Sequence, residues 1–331
     1  MMISATSVID ELTNGLFGKL PSHGDFVRIN VSGAAFEFAK YIENAVDVCR
    51  RASCEQEILK SYFLYRAPNS ATALIGILQS SNDAVGRIFP LSVFTAIESE
   101  SAAGNFDILP LAFSPFFESA LLLADEAEQL SIVDLKEQVL ALPFPSVEEF
   151  KAAQDQGDAI LQDTSIALFK DSPIRGSVKD WEVLALATIA AACEQSSDVS
   201  DESKIGITLD IPLIRNNDEV LWLGVIRRLL GEQMHCPNII WTLPRISPSI
   251  GSVKVEVPPI PGKLLVSLGA PPPSALAFLC GLLGDSPRLW QVSSNDAAAI
   301  ERAKETLSAE QLAVIADPVS TIESVVSAFG G

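Results

Sequence analysis

The stretch SYFLYRAPNSATALIGILQSSNDAVGRIFPLSVFTAI, residues 61–97, decides the fold class. It holds three β-rich runs, Ser61 to Arg66, Thr72 to Gln79 and Ile88 to Ile97, separated by turn formers such as Ala67-Pro68-Asn69 and Ser80-Ser81-Asn82-Asp83. Branched and aromatic side chains suit a pleated surface, whereas Pro, Asn, Asp and Gly interrupt it. Runs this close together leave no room for the crossover that a parallel pair needs, so an antiparallel meander is expected.

On the N-terminal side, apolar residues Phe36, Ala39, Tyr41, Ile42, Ala45, Val46 and Cys49 recur at helical spacing, which predicts a helix over Ala34 to Arg51. Before it, glycines at 15, 18 and 24 together with Pro21 restrict Asn14 to Phe26 to a short strand and a loop. On the C-terminal side, Glu98 to Asp107 is small, acidic and reads as a surface loop. Helices are expected over Pro110 to Leu130 and Ile132 to Leu142, the second stopped by Pro143-Phe144-Pro145. That stop and the polar segment Gln154 to Asp158 set the expected division into 1–145 and a C-terminal α/β region, 146–331, able to pack with the first as one unit.

In the second half, Trp181 to Glu194, Asp218 to Gln233, Ser274 to Leu283 and Pro318 to Phe329 read as helices. Ile205 to Leu209, Asn238 to Leu243, Val253 to Val257 and Lys263 to Leu268 read as strands. Interleaved helices and strands define an α/β fold: a mixed sheet with an antiparallel component, flanked by helices.

Among the 331 residues, 42 Asp and Glu oppose 23 Lys and Arg, a formal charge of −19. So acidic a chain lacks the basic footprint that nucleic-acid or anionic-membrane binding requires. The five cysteines, Cys49, Cys54, Cys193, Cys236 and Cys280, include no C-x-x-C pair, and free buried thiols are expected rather than disulfides or a zinc site. Met1 to Leu12 carries Asp10 and Glu11 and does not read as a secretory signal. The longest apolar run, near Val183 to Cys193, is short of the roughly 18 residues that span a bilayer. A soluble cytoplasmic protein is expected.

Two segments stand out as motifs. The first is Gly15-Leu16-Phe17-Gly18-Lys19-Leu20-Pro21-Ser22-His23-Gly24-Asp25-Phe26. A phosphate loop would need four residues between its glycines and Ser or Thr after the lysine; only Leu16 and Phe17 separate Gly15 from Gly18, and Leu20 follows Lys19. The better reading anchors Phe17, Leu20 and Phe26 in the core, with glycines permitting positive φ or close backbone approach. Lys19, His23 and Asp25 are then the polar residues of an exposed loop. The second segment is Ser80-Ser81-Asn82-Asp83-Ala84-Val85-Gly86-Arg87-Ile88-Phe89-Pro90-Leu91. Arg87 can serve as an anion fork or bond a neighbouring carboxylate or loop carbonyls, with Asp25 and Asp83 as its natural partners.

Catalytic patterns are thin. His23 and His235 are the only histidines, no G-x-S-x-G elbow occurs, and no H-x-x-x-H, paired-cysteine or EF-hand spacing marks a metal site. Acidic pairs such as Glu148-Glu149 read as solvated helix faces, and Arg227-Arg228 as snorkelling or pairing with acids. The reading is of a protein that is not an enzyme and holds no cofactor or metal.

The pattern Gly15-x-Phe17-Gly18-Lys19-Leu20-Pro21-x-x-Gly24-Asp25-Phe26 resembles the opening signature of the TagF (ImpM) family. The family's second block is similar to the Phe63 to Arg66 strand, the strand ending at Ser81, and Asp83-x-x-Gly86-Arg87-x-Phe89-Pro90-Leu91. The resemblance is concentrated in residues 15–91, extends to about 145, and is weaker at Ile239-Ile240-Trp241-Thr242 and at Leu264 to Gly269. It implies a post-translational negative regulator of type VI secretion in the bacterial cytoplasm, acting by protein–protein interaction with the forkhead-associated-domain scaffold protein of that system, and no catalytic residues. Gly15, Phe17, Gly18, Lys19, Pro21, Gly24, Asp25, Phe26, Asp83, Gly86, Arg87, Phe89 and Pro90 are accordingly the motif and candidate partner-binding residues. The alternatives are a hydrolase acting on a phosphorylated partner, with Asp25, Asp83 and Arg87 in one cleft, and a structural accessory of the secretion apparatus.

Overall fold

The structure is a computed structural model describing residues 13–51, 60–170, 181–197, 207–213, 215–231, 236–244, 262–269 and 297–329. Its strands are β1 (Thr13–Gly18), β2 (Val27–Ile29), β3 (Ser61–Arg66), β4 (Thr72–Gln79), β5 (Leu91–Glu98), β6 (Ile207–Leu213), β7 (Asn238–Thr242) and β8 (Gly262–Leu268). They form one sheet in the order β2-β1-β5-β4-β3-β7-β8-β6. The antiparallel component extends to every pairing among the described strands. The meander β3-β4-β5 follows from its short connections, residues 67–71 and 80–90, with β4 paired along its whole length to β5 from Thr72↔Glu98 to Gln79↔Leu91.

Side chains alternate across the sheet with the period of two that a strand imposes. Leu16, Leu64, Ala73, Ile75, Ile77, Val93, Ile239, Trp241, Leu264 and Val266 enter the larger core. Their neighbours Phe17, Phe63, Leu74, Phe94, Ile240 and Leu265 enter a second core on the opposite face. That second face packs against α1 (Ala34–Arg51), whose Ala35, Phe38, Ala39, Tyr41, Ile42, Ala45 and Cys49 are buried. The helix has the expected bounds, but its stripe is turned: Phe38 is buried and Phe36 is half exposed, with Lys40 Nζ 4.5 Å from the Phe36 ring centroid.

The larger core is covered by the remaining described helices. These include α2 (Ser99–Asn105), α3 (Leu109–Ala112), α4 (Ser114–Glu126), α5 (Ile132–Leu140), α6 (Val147–Asp163), α7 (Ile166–Lys170), α8 (Trp181–Ser197) and α9 (Asp218–Leu230), then three helices at Ala297–Thr306, Ala309–Ala316 and Ile322–Phe329. Several sequence expectations shift here. Ser99–Asn105 is helical rather than a loop, because Ser99, Ser101, Ala102 and Ala103 are small enough to lie buried against the sheet. The helix expected over Pro110 to Leu130 breaks into α3, α4 and a 3₁₀ turn at Ala127–Gln129. Gln154 to Asp158 lies inside α6, where Ser146 and Glu149 form a capping box and Phe150, Ala153, Gly157 and Leu161 are buried. The helix expected from Pro318 begins at Ile322, and two further helices precede it. The strand expected at Val253 to Val257 and the helix at Ser274 to Leu283 lie outside the described residues.

The sheet continues across residue 145. β3 is paired to β4 on one side and to β7 on the other, in the register Tyr62↔Trp241, Phe63↔Ile240, Leu64↔Ile239. Tyr62 stacks on Trp241 with ring centroids 5.3 Å apart, and Phe117 of α4 meets both edge-on. Arg227 of α9 donates from Nε to the Gly104 carbonyl at 2.9 Å and lies 3.2 Å from Asp107, while Arg228 pairs with Asp158 at 2.8 Å. Burial raises the Asp107 pKa, and the Arg227 charge works against that rise. Cys49, Cys193 and Cys236 are buried and form no disulfide among the described residues, and burial pushes the thiols of Cys193 and Cys236 up to about 12.

Glu219, in the first turn of α9, is 6% exposed and its Oε2 has no hydrogen-bond partner among the described residues. Burial, and then the neighbouring Asp218 charge, raise its pKa to about 7; Tyr62 on β3 is raised chiefly by its own burial, to which the charges of Glu219 and of Glu118 on α4 add. A folded-state value above the ordinary 4.5 means that the native state holds the proton more tightly than the unfolded chain. The associated stability is complete below about pH 4.5 and is lost as pH rises through about 7. Between pH 5 and 8 the loss is on the order of 2 to 3 kcal/mol. Chemical denaturation of Glu219→Gln should therefore show a shallower decline over that range, with the variant the more stable protein at pH 8. Parallel pH profiles for the two proteins would refute the assignment.

Candidate functional site

The two sequence motifs meet at one end of β1 and β5. β1 ends at Gly18, whose φ of +151° and close approach to β5 leave no room for a side chain; a Cβ there would lie 2.5 Å from the Pro90 carbonyl oxygen and 2.7 Å from Leu91 Cα. The chain then turns through Lys19 to Phe26 and returns as β2. The second loop leaves β4 at Gln79 and reaches β5 at Leu91, with Asn82 and Ile88 bridging its neck.

Asp83 joins the two loops. Its Oδ2 accepts from Lys19 Nζ at 2.7 Å and from Arg87 Nε at 2.6 Å, and its Oδ1 accepts from the backbone amides of Arg87 at 2.9 Å and Val85 at 3.1 Å. The Asp83 side chain is fully buried and that of Lys19 is 9% exposed, whereas Arg87 keeps 64% of its side chain in solvent. A buried carboxylate is tolerable only when paired and hydrogen-bonded, and here all four acceptor positions are used. The turn closes through Gly86 N donating to the Asp83 carbonyl at 2.8 Å, with Gly86 at φ +83°.

Further bonds fasten the loops directly. Ser81 Oγ donates to the Lys19 carbonyl at 2.6 Å, Ala84 N to the His23 carbonyl at 3.0 Å and Arg87 Nη2 to the Gly24 carbonyl at 3.2 Å. Beneath them Phe17 stacks on Phe26 at 5.4 Å, and Phe89 meets Phe17 and Phe26 edge-on at 5.6 and 4.8 Å. Lys19 Nζ lies 5.1 Å from the Phe26 ring centroid, and Arg28 covers both Phe17 and Phe26.

The structure thus brings Phe17, Gly18, Lys19, Phe26, Asp83, Gly86, Arg87, Phe89 and Pro90 together and corrects the reading of Lys19, which is buried rather than a polar residue of an exposed loop. Its aliphatic stem crosses the aromatic cluster to reach Asp83. Of the two partners proposed for Arg87, Asp83 forms the ion pair. Asp25 is exposed and accepts from its neighbour, the Phe26 amide, at 2.7 Å. Gly15 sits against the Phe94 ring, 2.5 Å from where a Cβ would stand. Pro21 is half-buried in the turn, and Gly24 is exposed with open space at its Cβ position, so neither close approach nor positive φ calls for glycine there. Ser81 and Arg28 belong to the cluster too: Ser81 bonds across to the other loop, and Arg28 faces Phe17 across the β1–β2 pair.

Chemically the arrangement is a clamp. With both oxygens of Asp83 occupied, the carboxylate has no lone pair left to accept a proton from a substrate or water. Among the described residues no group of three or more His, Cys, Asp or Glu could hold a metal ion. Ser22 Oγ and His23 Nδ1 are 2.9 Å apart at the exposed tip, and His235 lies outside the described residues.

Residues 15–142 match the family model of the TagF N-terminal domain, described as type VI secretion system-associated. The matched segment runs from β1 to α5 and includes both loops of the clamp. Among solved structures the chain is similar to PA0076 from Pseudomonas aeruginosa PAO1, with 23% identity and a TM-score of 0.35 over 40% of this chain and 64% of that one. The chain thus spans less than two thirds of the length of that protein. No curated protein matches the chain.

The hydrogen bond from Lys19, followed by those from the Arg87 amide and side chain and the Val85 amide, holds the Asp83 pKa well below its ordinary 3.8 despite the opposing effect of burial. A depressed folded-state value places the stabilisation above the ordinary carboxylate range and removes it as pH falls. Asp83→Asn, which leaves Lys19 buried without its counter-charge, is expected to lower the melting midpoint at pH 7 by about 5 °C or more. The gap between wild type and variant should hold down to about pH 4 and narrow only as pH falls below the ordinary 3.8 towards the depressed folded-state value. A variant with an unchanged midpoint at pH 7 would show that the clamp contributes nothing to folding.

Proposed function

We propose that this protein is a post-translational negative regulator that restrains type VI secretion by binding the forkhead-associated-domain scaffold protein of that system in the bacterial cytoplasm. The observation that carries this reading is the match of residues 15–142 to the TagF N-terminal domain, in which both signature segments converge on one clamp. A regulator that works by occupancy needs a preorganised contact surface rather than a reacting group. The clamp supplies one: it fixes a turn whose Val85 and Ile88 side chains are 74% and 56% exposed on either side of Arg87. Arginine is enriched at interface hot spots, exposed apolar side chains beside it can be desolvated by a partner, and a turn ordered before binding lowers the conformational cost of association. None of the described helices is long and apolar enough to cross a membrane, which suits a protein working from the cytoplasmic side.

Deleting the gene in its own host should raise type VI secretion, and affinity purification of the tagged chain should recover the scaffold protein. Val85→Ser with Ile88→Ser leaves the Asp83 bonds in place and should weaken that recovery at least tenfold (~1.4 kcal/mol) with little change in melting midpoint. Unchanged secretion on deletion together with purification free of the scaffold protein would overturn the reading.

A further inference from the structure

A second surface lies away from the clamp, on α5 and the chain that follows it. α5 buries Leu135 and Val139 against the larger core and is fixed to β1, whose Asn14 Nδ2 donates to the Leu142 carbonyl at 3.0 Å. At 3.6 residues per turn, Ile132, Lys136, Leu140 and Val133 follow in that angular order over about 100°, starting beside the buried Val139 and running round towards solvent. Ile132, Val133 and Leu140 are 41%, 66% and 50% exposed, and Phe144 and Val147, next along the chain before α6, are exposed too. A surface helix ordinarily turns its apolar stripe inward and its charges outward. α5 carries an apolar arc wider than the part it buries, and the Ile132, Leu140 and Val133 portion is left exposed.

The charge around this strip points to its occupant. From Leu122 to Glu149 the chain has seven acids, Asp125, Glu126, Glu128, Asp134, Glu137, Glu148 and Glu149, against one base, Lys136. All seven acids are exposed, Asp125 pairs outward with Lys60, and Glu149 caps α6. A second copy of the chain would bring two acidic rims together, and an anionic lipid surface would meet the same repulsion. We infer that the α5 strip docks a basic amphipathic helix, whose leucine-type face covers Ile132, Val133, Leu140 and Phe144 while its lysines or arginines face the acidic rim. Apolar anchors inside a complementary charged rim are the usual anatomy of a specific interface. The surface is distinct from the Val85–Ile88 turn and does not depend on the scaffold-binding reading.

The test is calorimetric titration of the full chain with a synthetic helix of leucine and lysine, leucines on one face, at two salt concentrations. The expected result is one peptide per chain, binding that weakens as salt rises, and at least tenfold weaker binding to Val133→Ser with Leu140→Ser. That double variant keeps the net charge and both buried anchors, so its melting midpoint should be unchanged. The proposal is overturned if the variant binds equally well, or if a scrambled peptide of the same composition binds as tightly, since charge alone would then be responsible. Self-association or binding to phosphatidylglycerol vesicles that the same double variant abolishes would also overturn it, by assigning the strip to another occupant. None of these readouts involves secretion or the scaffold protein, so this inference and the proposed function can fail separately.

Discussion

A carboxylate removed from water must find its partners inside the protein, and that requirement on Asp83 organises the whole signature end of the N-terminal domain. Lys19 and Arg87 supply the charges, Val85 and Arg87 supply backbone amides, and each partner imposes a further condition. Lys19 can reach Asp83 only if its stem is buried beside Phe26, so the aromatic cluster of Phe17, Phe26 and Phe89 has to be in place. The turn from Asp83 to Arg87 closes only with a residue that tolerates φ near +83°, which is why position 86 is glycine. β1 must stop against the backbone of Pro90 and Leu91, which selects glycine at 18. Residues separated by more than 60 positions in the chain are thus requirements of one ion pair.

Much of this was legible from the sequence, for physical reasons that differ from element to element. α1 and the β3-β4-β5 meander announce themselves because their patterns are local: a 3.6-residue period in one, short runs between Pro, Asn and Asp in the other. The rotation of α1, with Phe38 inward and Phe36 outward, was not legible, because a continuous band of apolar residues fits more than one helix face. α2 was hidden by its composition; small polar residues read as a loop unless one knows that a sheet lies close enough to need small side chains. Arg87 and Asp83 were recognisable as partners from four-residue proximity in a turn. The burial of Lys19 was not, since it depends on a contact across 64 positions.

The apparent division at Pro143-Phe144-Pro145 shows how a local stop signal differs from a structural boundary. Prolines end α5, yet the sheet passes through the junction by way of β3 and β7, and the cores on both faces contain residues from both halves of the chain. Arg227 reaches Gly104 and Asp107, Arg228 reaches Asp158, and Glu219 lies buried where its charge acts on Tyr62. Polar groups at this junction are costly when mispaired, so they favour one packing of the two halves over sliding alternatives. The TagF-type segment is therefore stabilised from outside its own bounds, through the ladder that β7 adds to β3.

This coupling separates what is rigid from what is presented. The Asp83 clamp is saturated, so its charge is spent on holding two loops rather than on any partner, and what the loops offer outward is Val85, Ile88 and the free edge of Arg87. α5 follows the same logic on another side of the domain: Leu135, Val139 and Leu142 fasten it inward, which leaves Ile132, Val133 and Leu140 exposed. Exposed apolar groups cost solubility, and in a chain carrying −19 charges the surrounding acids restrain association with like-charged neighbours. A surface built in this way would admit partners selectively by charge and retain them by apolar contact.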